Sequence, residues 1–114
     1  MSENEELRWF AVRCVFRSGW ASGDGPPLFE ERITLWRATS VEEAVRRAEA
    51  EAEVYAGTID EAPDTFLGLA QAYQLFAEPG DGAEVFSLLR ESGLSAEDYL
   101  ETFFDTGGER SREL

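Results

Sequence analysis

The sequence predicts an α+β domain of two layers, in which an antiparallel sheet of three or four strands packs on one main helix, in the order β-β-α-β-β-α. Two early segments alternate apolar and polar residues, which is typical of strands, and a well-capped amphipathic helix follows them. At 114 residues, 43% of them hydrophobic, the chain can bury one core. We therefore expect a single domain over residues 1–114, with flexible ends at about 1–6 and 109–114.

The first two strands are predicted from their alternation. In residues 8–17 the apolar side chains of one face are assigned to the core: Phe10, Val12, Cys14 and Phe16. The second strand runs from about 28 to 37. It places Phe29, Ile33 and Leu35 on one face, and the other face carries Glu30, Arg32, Thr34 and Trp36.

The main helix is predicted over residues 41–56. Ser40 and Glu43 have the capping-box spacing, in which each side chain satisfies a backbone N–H at the start of the helix. The apolar stripe of the helix consists mostly of alanine, and Gly57 follows as a stop. Because alanine is small, we expect this helix to lie close to the sheet.

The C-terminal half is predicted to hold a third strand, a fourth strand and a second helix. Residues 65–76 are apolar and include Gly68, Ala70 and Ala72, which leave room for the alanine-rich helix. Residues 84–91 fit either a strand or a helix, and we favour a strand. The last helix begins at Ser95 and is expected to end at the glycine pair 107–108.

The charge balance excludes some classes of function. The chain has 24 acidic and 10 basic residues, a net charge of −14, and no histidine. Nucleic acids and anionic membranes should repel it, whereas a basic protein should attract it. The absence of histidine removes the usual general base and transition-metal ligand, so we expect no enzyme, no metal site and no cofactor. The single cysteine, Cys14, and the lack of a membrane span or secretion signal indicate a cytoplasmic protein.

The triplet Asp105-Thr106-Gly107 has the form of an aspartic-protease loop. That chemistry requires two carboxylates that share a proton, hence a second copy of the loop, and strands that form a substrate cleft. Here the triplet occurs once and follows the start signals of a helix. We interpret it as the end of that helix.

One constellation suggests a binding surface. If the first two strands form a hairpin with its loop centred near Ser22, Trp9 lies opposite Trp36 and Arg13 opposite Arg32. Exposed tryptophan and arginine on a rigid sheet are typical of protein-binding hot spots. The candidate partner-binding residues are Trp9, Arg13, Arg17, Arg32 and Trp36. The alternative is that the last helix covers both tryptophans as a second small core, through three aromatic side chains: Tyr99, Phe103 and Phe104.

These observations favour a small acidic protein-interaction module, such as an inhibitor or immunity-type protein for a basic protein partner. A small enzyme that relies on carboxylates and a homo-oligomeric structural component are the alternatives, and a homodimer is left open.

The sequence resembles a family of short bacterial proteins, the domain of unknown function 4288. The similar stretches include "WFAVR" (9–13), "FEERITLWRATSVEEAVRRAEAEAEVYAG" (29–57), "FLGLAQAYQLF" (66–76), "GAEVFSLLRESGLS" (82–95) and "DYLETFFDTGGE" (98–109). The resemblance implies that "FFDTGG" is an ordinary closing segment of the family. It implies no activity and no site residues.

Overall fold

The fold is a three-stranded antiparallel sheet with one long helix, followed by an arm. A computed structural model describes residues 6–19, 27–58, 61–104 and 106–109. Its elements are β1 (Arg8–Arg17), β2 (Phe29–Ala38), α1 (Val41–Ala56), β3 (Thr65–Gln74) and α2 (Ala96–Tyr99), which continues into a π-helical turn (Leu100–Phe104). The strand order is β2-β1-β3, so β1 is central. The hairpin loop around Ser22 and most of the expected flexible ends (1–6 and 109–114), namely residues 1–5 and 110–114, lie outside the described residues.

Helix α1 covers one face of the sheet and forms the core with it. The predicted core face of β1 is confirmed, since Phe10, Val12, Cys14 and Phe16 are all buried. The helix contributes four buried alanines at four-residue intervals: Ala44, Ala48, Ala52 and Ala56. Their small side chains let the helix axis lie close to the sheet, so the large residues of the core come mainly from the strands.

Of the two hydrogen bonds predicted for the capping box at the start of α1, one forms as predicted. The Ser40 hydroxyl accepts a hydrogen bond from the backbone N–H of Glu43 at 3.1 Å. The Glu43 carboxylate accepts from the backbone N–H of Thr39 at 2.7 Å and from its hydroxyl at 3.1 Å, one residue before the expected donor. The hydrogen bond from the Thr39 backbone is the main reason why the pKa of Glu43 is lowered.

The predicted fourth strand is wrong. Among the described residues the sheet has three strands, and residues 83–93 belong to no strand or helix. The order is therefore β-β-α-β, followed by a segment that we call the arm (residues 76–104). Apolar spacing in 84–91 suits a strand, but a strand also requires an edge with which to pair, and the arm instead crosses the sheet face at Phe86.

Candidate interaction surfaces

The sheet face opposite α1, which we call the open face, retains exposed apolar side chains. Alternation along the strands assigns to it the β1 residues Trp9, Ala11, Arg13, Val15 and Arg17, the β2 residues Phe29, Glu31, Ile33, Leu35 and Arg37, and the β3 residues Leu67, Leu69, Gln71 and Tyr73. Five large apolar residues of this face are 39–56% exposed: Phe29, Ile33, Leu35, Leu67 and Leu69. Exposed apolar side chains on one face of a folded protein make that face a candidate contact site.

An irregularity in β3 places both leucines on the open face. The pairing of β1 with β3 shifts between Cys14 and Phe16, which pair with Ala70 and Phe66 respectively. Three β3 residues therefore oppose one β1 residue. Gly68, in the middle of the three, has a φ of 81°, which glycine adopts readily.

The five candidate binding residues do not share one face. Trp9 pairs with Arg37, and Trp36 pairs with Phe10, so the assumed register of the hairpin is wrong by one residue. A shift of one residue moves a side chain to the other face of a sheet. Trp9, Arg13 and Arg17 consequently lie on the open face, while Arg32 and Trp36 lie beside α1.

Arg32 joins β2 to α1. Its guanidinium donates two hydrogen bonds to the Glu51 carboxylate, at 2.7 and 3.0 Å, and lies 3.8 Å from the centre of the Tyr55 ring. The Tyr55 hydroxyl in turn donates to Glu30 at 2.7 Å. The bond to Glu51 is the main reason why the pKa of Arg32 is raised. These contacts engage Arg32 within the domain.

Trp36 packs against the core on the same side. It is half-buried, its indole N–H donates to the Thr34 hydroxyl at 2.6 Å, and the Arg47 guanidinium lies 5.2 Å from its ring centre. The aromatic residues of the last helix do not cover the two tryptophans, because among the described elements α2 and the π-helical turn contact only each other. The alternative prediction, that the last helix covers both tryptophans as a second small core, is therefore wrong.

Arg13 and Phe86 form the contact at which the arm meets the open face. The Phe86 ring packs against Tyr73, with centroids 6.0 Å apart, and the Arg13 guanidinium lies 5.2 Å from the Phe86 centroid. Arg13 also donates to Gln71 and to Glu31, the latter at 3.3 Å. Sequence reasoning missed Phe86, since an aromatic residue in an ambiguous apolar run gives no sign of the surface it will contact.

Three polar atoms of the open face are buried without a hydrogen-bond partner. They are the indole nitrogen of Trp9, the Nε of Arg13 and the hydroxyl of Tyr73. All three groups can donate a hydrogen bond, and two can only donate. These three donors therefore have no acceptor within the folded chain, although Gln71 and Glu31 accept from the terminal nitrogens of Arg13.

Beyond Phe86 the arm exposes its apolar side chains. We call residues 88–104 the distal arm, and six of its large apolar residues are 43–95% exposed: Leu88, Leu89, Leu94, Leu100, Phe103 and Phe104. Its only internal cluster joins Arg90 to Tyr99 and Phe103: the guanidinium donates to the Tyr99 hydroxyl at 2.9 Å and lies 4.1 Å from the Phe103 centroid. The radius of gyration, 16.8 Å, exceeds the roughly 13 Å of a compact chain of this length.

The start of the last helix is as predicted, and its end is partly described. Ser95 accepts from the backbone N–H of Asp98 at 3.1 Å. Asp105 lies outside the described residues. The Glu109 carboxylate accepts from the backbone N–H groups of Thr106 and Gly107, at 3.0 and 3.1 Å, and Gly107 has the left-handed φ of 91° expected near a helix end. The hydrogen bond from Thr106 is the main reason why the pKa of Glu109 is lowered.

The remaining features to place are the single cysteine, any group of metal ligands and any helix that could span a membrane. Cys14 is buried in the core, and burial is the main reason why the pKa of its thiol is raised, which opposes formation of a nucleophilic thiolate. In the part of the chain that the structure describes, no three acidic, cysteine or histidine side chains are grouped so that they could hold a metal ion. No helix within the described ranges has both the length and the apolar character needed to cross a bilayer.

Comparison with known proteins identifies the family. The chain matches no curated protein and no solved structure. A family model described as Domain of unknown function (DUF4288) matches residues 9–87, which include the sheet, α1 and Phe86. The match stops before the distal arm, so the interpretation of "FFDTGG" as a closing segment of the family falls outside it. Because the matched residues make up well over half of the chain, this protein belongs to the DUF4288 family.

Proposed function

We propose that this protein is a protein-interaction module of the cytoplasm rather than an enzyme, and that it binds a basic protein partner, as an inhibitor or immunity-type protein does. The observation that supports this function best is the distal arm. Its six exposed large apolar residues are interspersed with four acidic residues and one basic residue: Glu91, Glu97, Asp98, Glu101 and Arg90.

The arm also has a physical reason to bind. Helix α2 and the π-helical turn together form a nine-residue helical segment, Ala96–Phe104, and it packs on no other described element. Isolated helices shorter than about 12 residues are marginally stable in water. Docking of its apolar side chains on another surface would supply the packing that the segment lacks.

Charge and apolar contact have separate roles in this proposal. The net charge of −14 raises the rate of encounter with a basic protein over a distance set by the ionic strength. Exposed carboxylates remain hydrated and contribute little to equilibrium affinity, whereas apolar side chains that become buried contribute most of it. We therefore assign steering to the acidic residues and affinity to the leucines and phenylalanines of the distal arm.

The test begins with affinity purification of the partner from the native host and continues with purified proteins. We expect Phe103→Ser/Phe104→Ser to weaken binding at least about tenfold, while the control Val54→Ser, at a 74% exposed position of α1, binds as the wild type does. The association rate should fall between 0.1 and 1 M salt, where the screening length shortens from about 10 Å to about 3 Å. Unchanged affinity of the arm variant, or an association rate independent of salt, would contradict the proposal.

A further inference from the structure

We infer that two copies of this chain associate, with the distal arm of each copy docked on the open face of the other. This inference deepens the proposed function and rests on one part of it, that the distal arm is the docking segment. It adds a receptor for that segment, the open face of the second copy. A basic partner that binds the distal arm would have to displace this open face.

The two surfaces match in apolar character. The open face exposes five large apolar residues on three neighbouring strands, and the distal arm exposes six. Within one chain Phe86, just before the distal arm, contacts the open face, and among the described elements the helical part of the distal arm contacts no strand. Each surface therefore leaves unburied the kind of side chain that the other could cover.

The two surfaces also match in charge. The open face carries three arginines, Arg13, Arg17 and Arg37, and one acidic residue, Glu31. The distal arm carries four acidic residues and one arginine. Two chains of net charge −14 repel at long range, but this arrangement of charges makes contact between arm and open face locally favourable.

A second copy is a better receptor than the chain's own open face. Phe86 already occupies the contact beside Tyr73 and Arg13, and the chain then leads away, so that α2 and the π-helical turn contact no strand of their own sheet. Residues 88–95 would reach about 26 Å if fully extended, and the ten-residue strands of the open face span about 33 Å. The distal arm is thus long enough to follow the face of a neighbouring copy.

Complementation between two variants tests the inference. The face variant Ile33→Glu/Leu69→Glu places charge on exposed positions of the open face, and the arm variant Leu100→Ser/Phe103→Ser removes apolar contacts of the distal arm. Val54→Glu, which adds one negative charge at an exposed position of α1, serves as the control. Light scattering after gel filtration and sedimentation equilibrium measure the mass of each protein, and circular dichroism checks that each is folded.

We expect the wild type and the Val54→Glu control to be dimers, and each interface variant alone to be monomeric. An equimolar mixture of the two variants should form a heterodimer, because the intact arm of the face variant meets the intact face of the arm variant. The heterodimer should be weaker than the wild-type dimer, since it retains one of two contacts. A wild type that remains monomeric up to about 100 μM overturns the inference.

Other results also overturn it. If both variants stay dimeric, the interface lies elsewhere, and if the folded monomeric variants fail to pair when mixed, the arm does not dock on the face. If the face variant fails to fold, Arg17→Glu/Arg37→Glu takes its place. We expect this variant to raise the dissociation constant of the dimer at least about tenfold. An unchanged dissociation constant would contradict the inference. If the wild type is monomeric and its partner binding still depends on the distal arm, the self-association is rejected and the proposed function stands. If the wild type is a dimer and the arm variant binds the partner as well as the wild type does, the proposed function is rejected and the self-association stands.

Discussion

Replacing Arg32 with methionine tests whether this residue joins β2 to α1 rather than serving as a contact for a partner. Methionine keeps much of the aliphatic length and removes the two hydrogen bonds to Glu51 and the stacking on Tyr55. The side chains of Arg32 and Glu51 are 26% and 34% exposed, so solvent screens their attraction and the pair contributes about 1 kcal/mol. A guanidinium at 3.8 Å from an aromatic centre adds about 1 kcal/mol. We expect Arg32→Met to lower the free energy of unfolding by about 2 kcal/mol.

A double-mutant cycle separates the pair from the stacking. Urea denaturation of the wild type, Arg32→Met, Glu51→Gln and the double variant, followed by circular dichroism, should give a coupling energy of about 1 kcal/mol. Glu53→Gln, on the same helix and exposed, is the matched control and should change the free energy of unfolding by less than about 0.5 kcal/mol. A coupling energy indistinguishable from zero, or an Arg32→Met protein as stable as the wild type, would refute the assignment of Arg32 to the joint between strand and helix.

Three other variants test separate parts of the structure. Gly19→Ala should lower the free energy of unfolding by about 1–3 kcal/mol. A Cβ at this position would meet the carbonyl oxygen of Pro63 and would lie 2.5 Å from the carbonyl oxygen of Ala62. Wild-type stability in thermal unfolding would contradict this expectation. Glu43→Gln should make the free energy of unfolding less dependent on pH in the acid range. Folding lowers the pKa of the Glu43 carboxyl, so this group stabilises the protein above its unfolded pKa, and the contribution disappears as pH falls through the folded pKa. An unchanged dependence on pH below about pH 5, roughly the upper end of that window, would count against the cap. Phe86→Ala should leave the sheet folded but speed proteolysis within the arm, and equal cleavage rates would show that Phe86 does not anchor it.

The elements that depend on local sequence were predictable, whereas their relative placement was not. The bounds of β1 and α1 follow from alternation and from the cap at Ser40, which involve neighbours a few residues apart. The hairpin register depends on the geometry of the loop, about which composition says little, and one residue of error exchanges the faces of Trp9 and Trp36. Sequence alone therefore identified side chains of the candidate surface but combined two opposite faces into one.

The arm illustrates a second limit. Residues 84–91 have strand-like composition, but pairing depends on whether the chain runs along a free edge of the sheet, here the outer edge of β2 or of β3. This segment instead meets the face of the sheet, where Phe86 packs against Tyr73 and Arg13. Spacing within the segment contains no information about such a distant contact. Exposure of the distal arm could likewise not be inferred, because its apolar residues look the same whether they are buried or not.

The central position of β1 has a consequence for the order of folding. Residues 8–38 can close as a hairpin as soon as they are made, and α1 can then pack on it. The third strand pairs with β1 across roughly fifty residues of sequence, from Arg17 to Thr65, so it can join the sheet only after the whole of α1 has been made. During synthesis the free edge of β1 must wait for β3, so a nascent chain passes through a two-stranded state whose central strand is still an edge. We expect β3 to be the last strand protected from hydrogen exchange during folding.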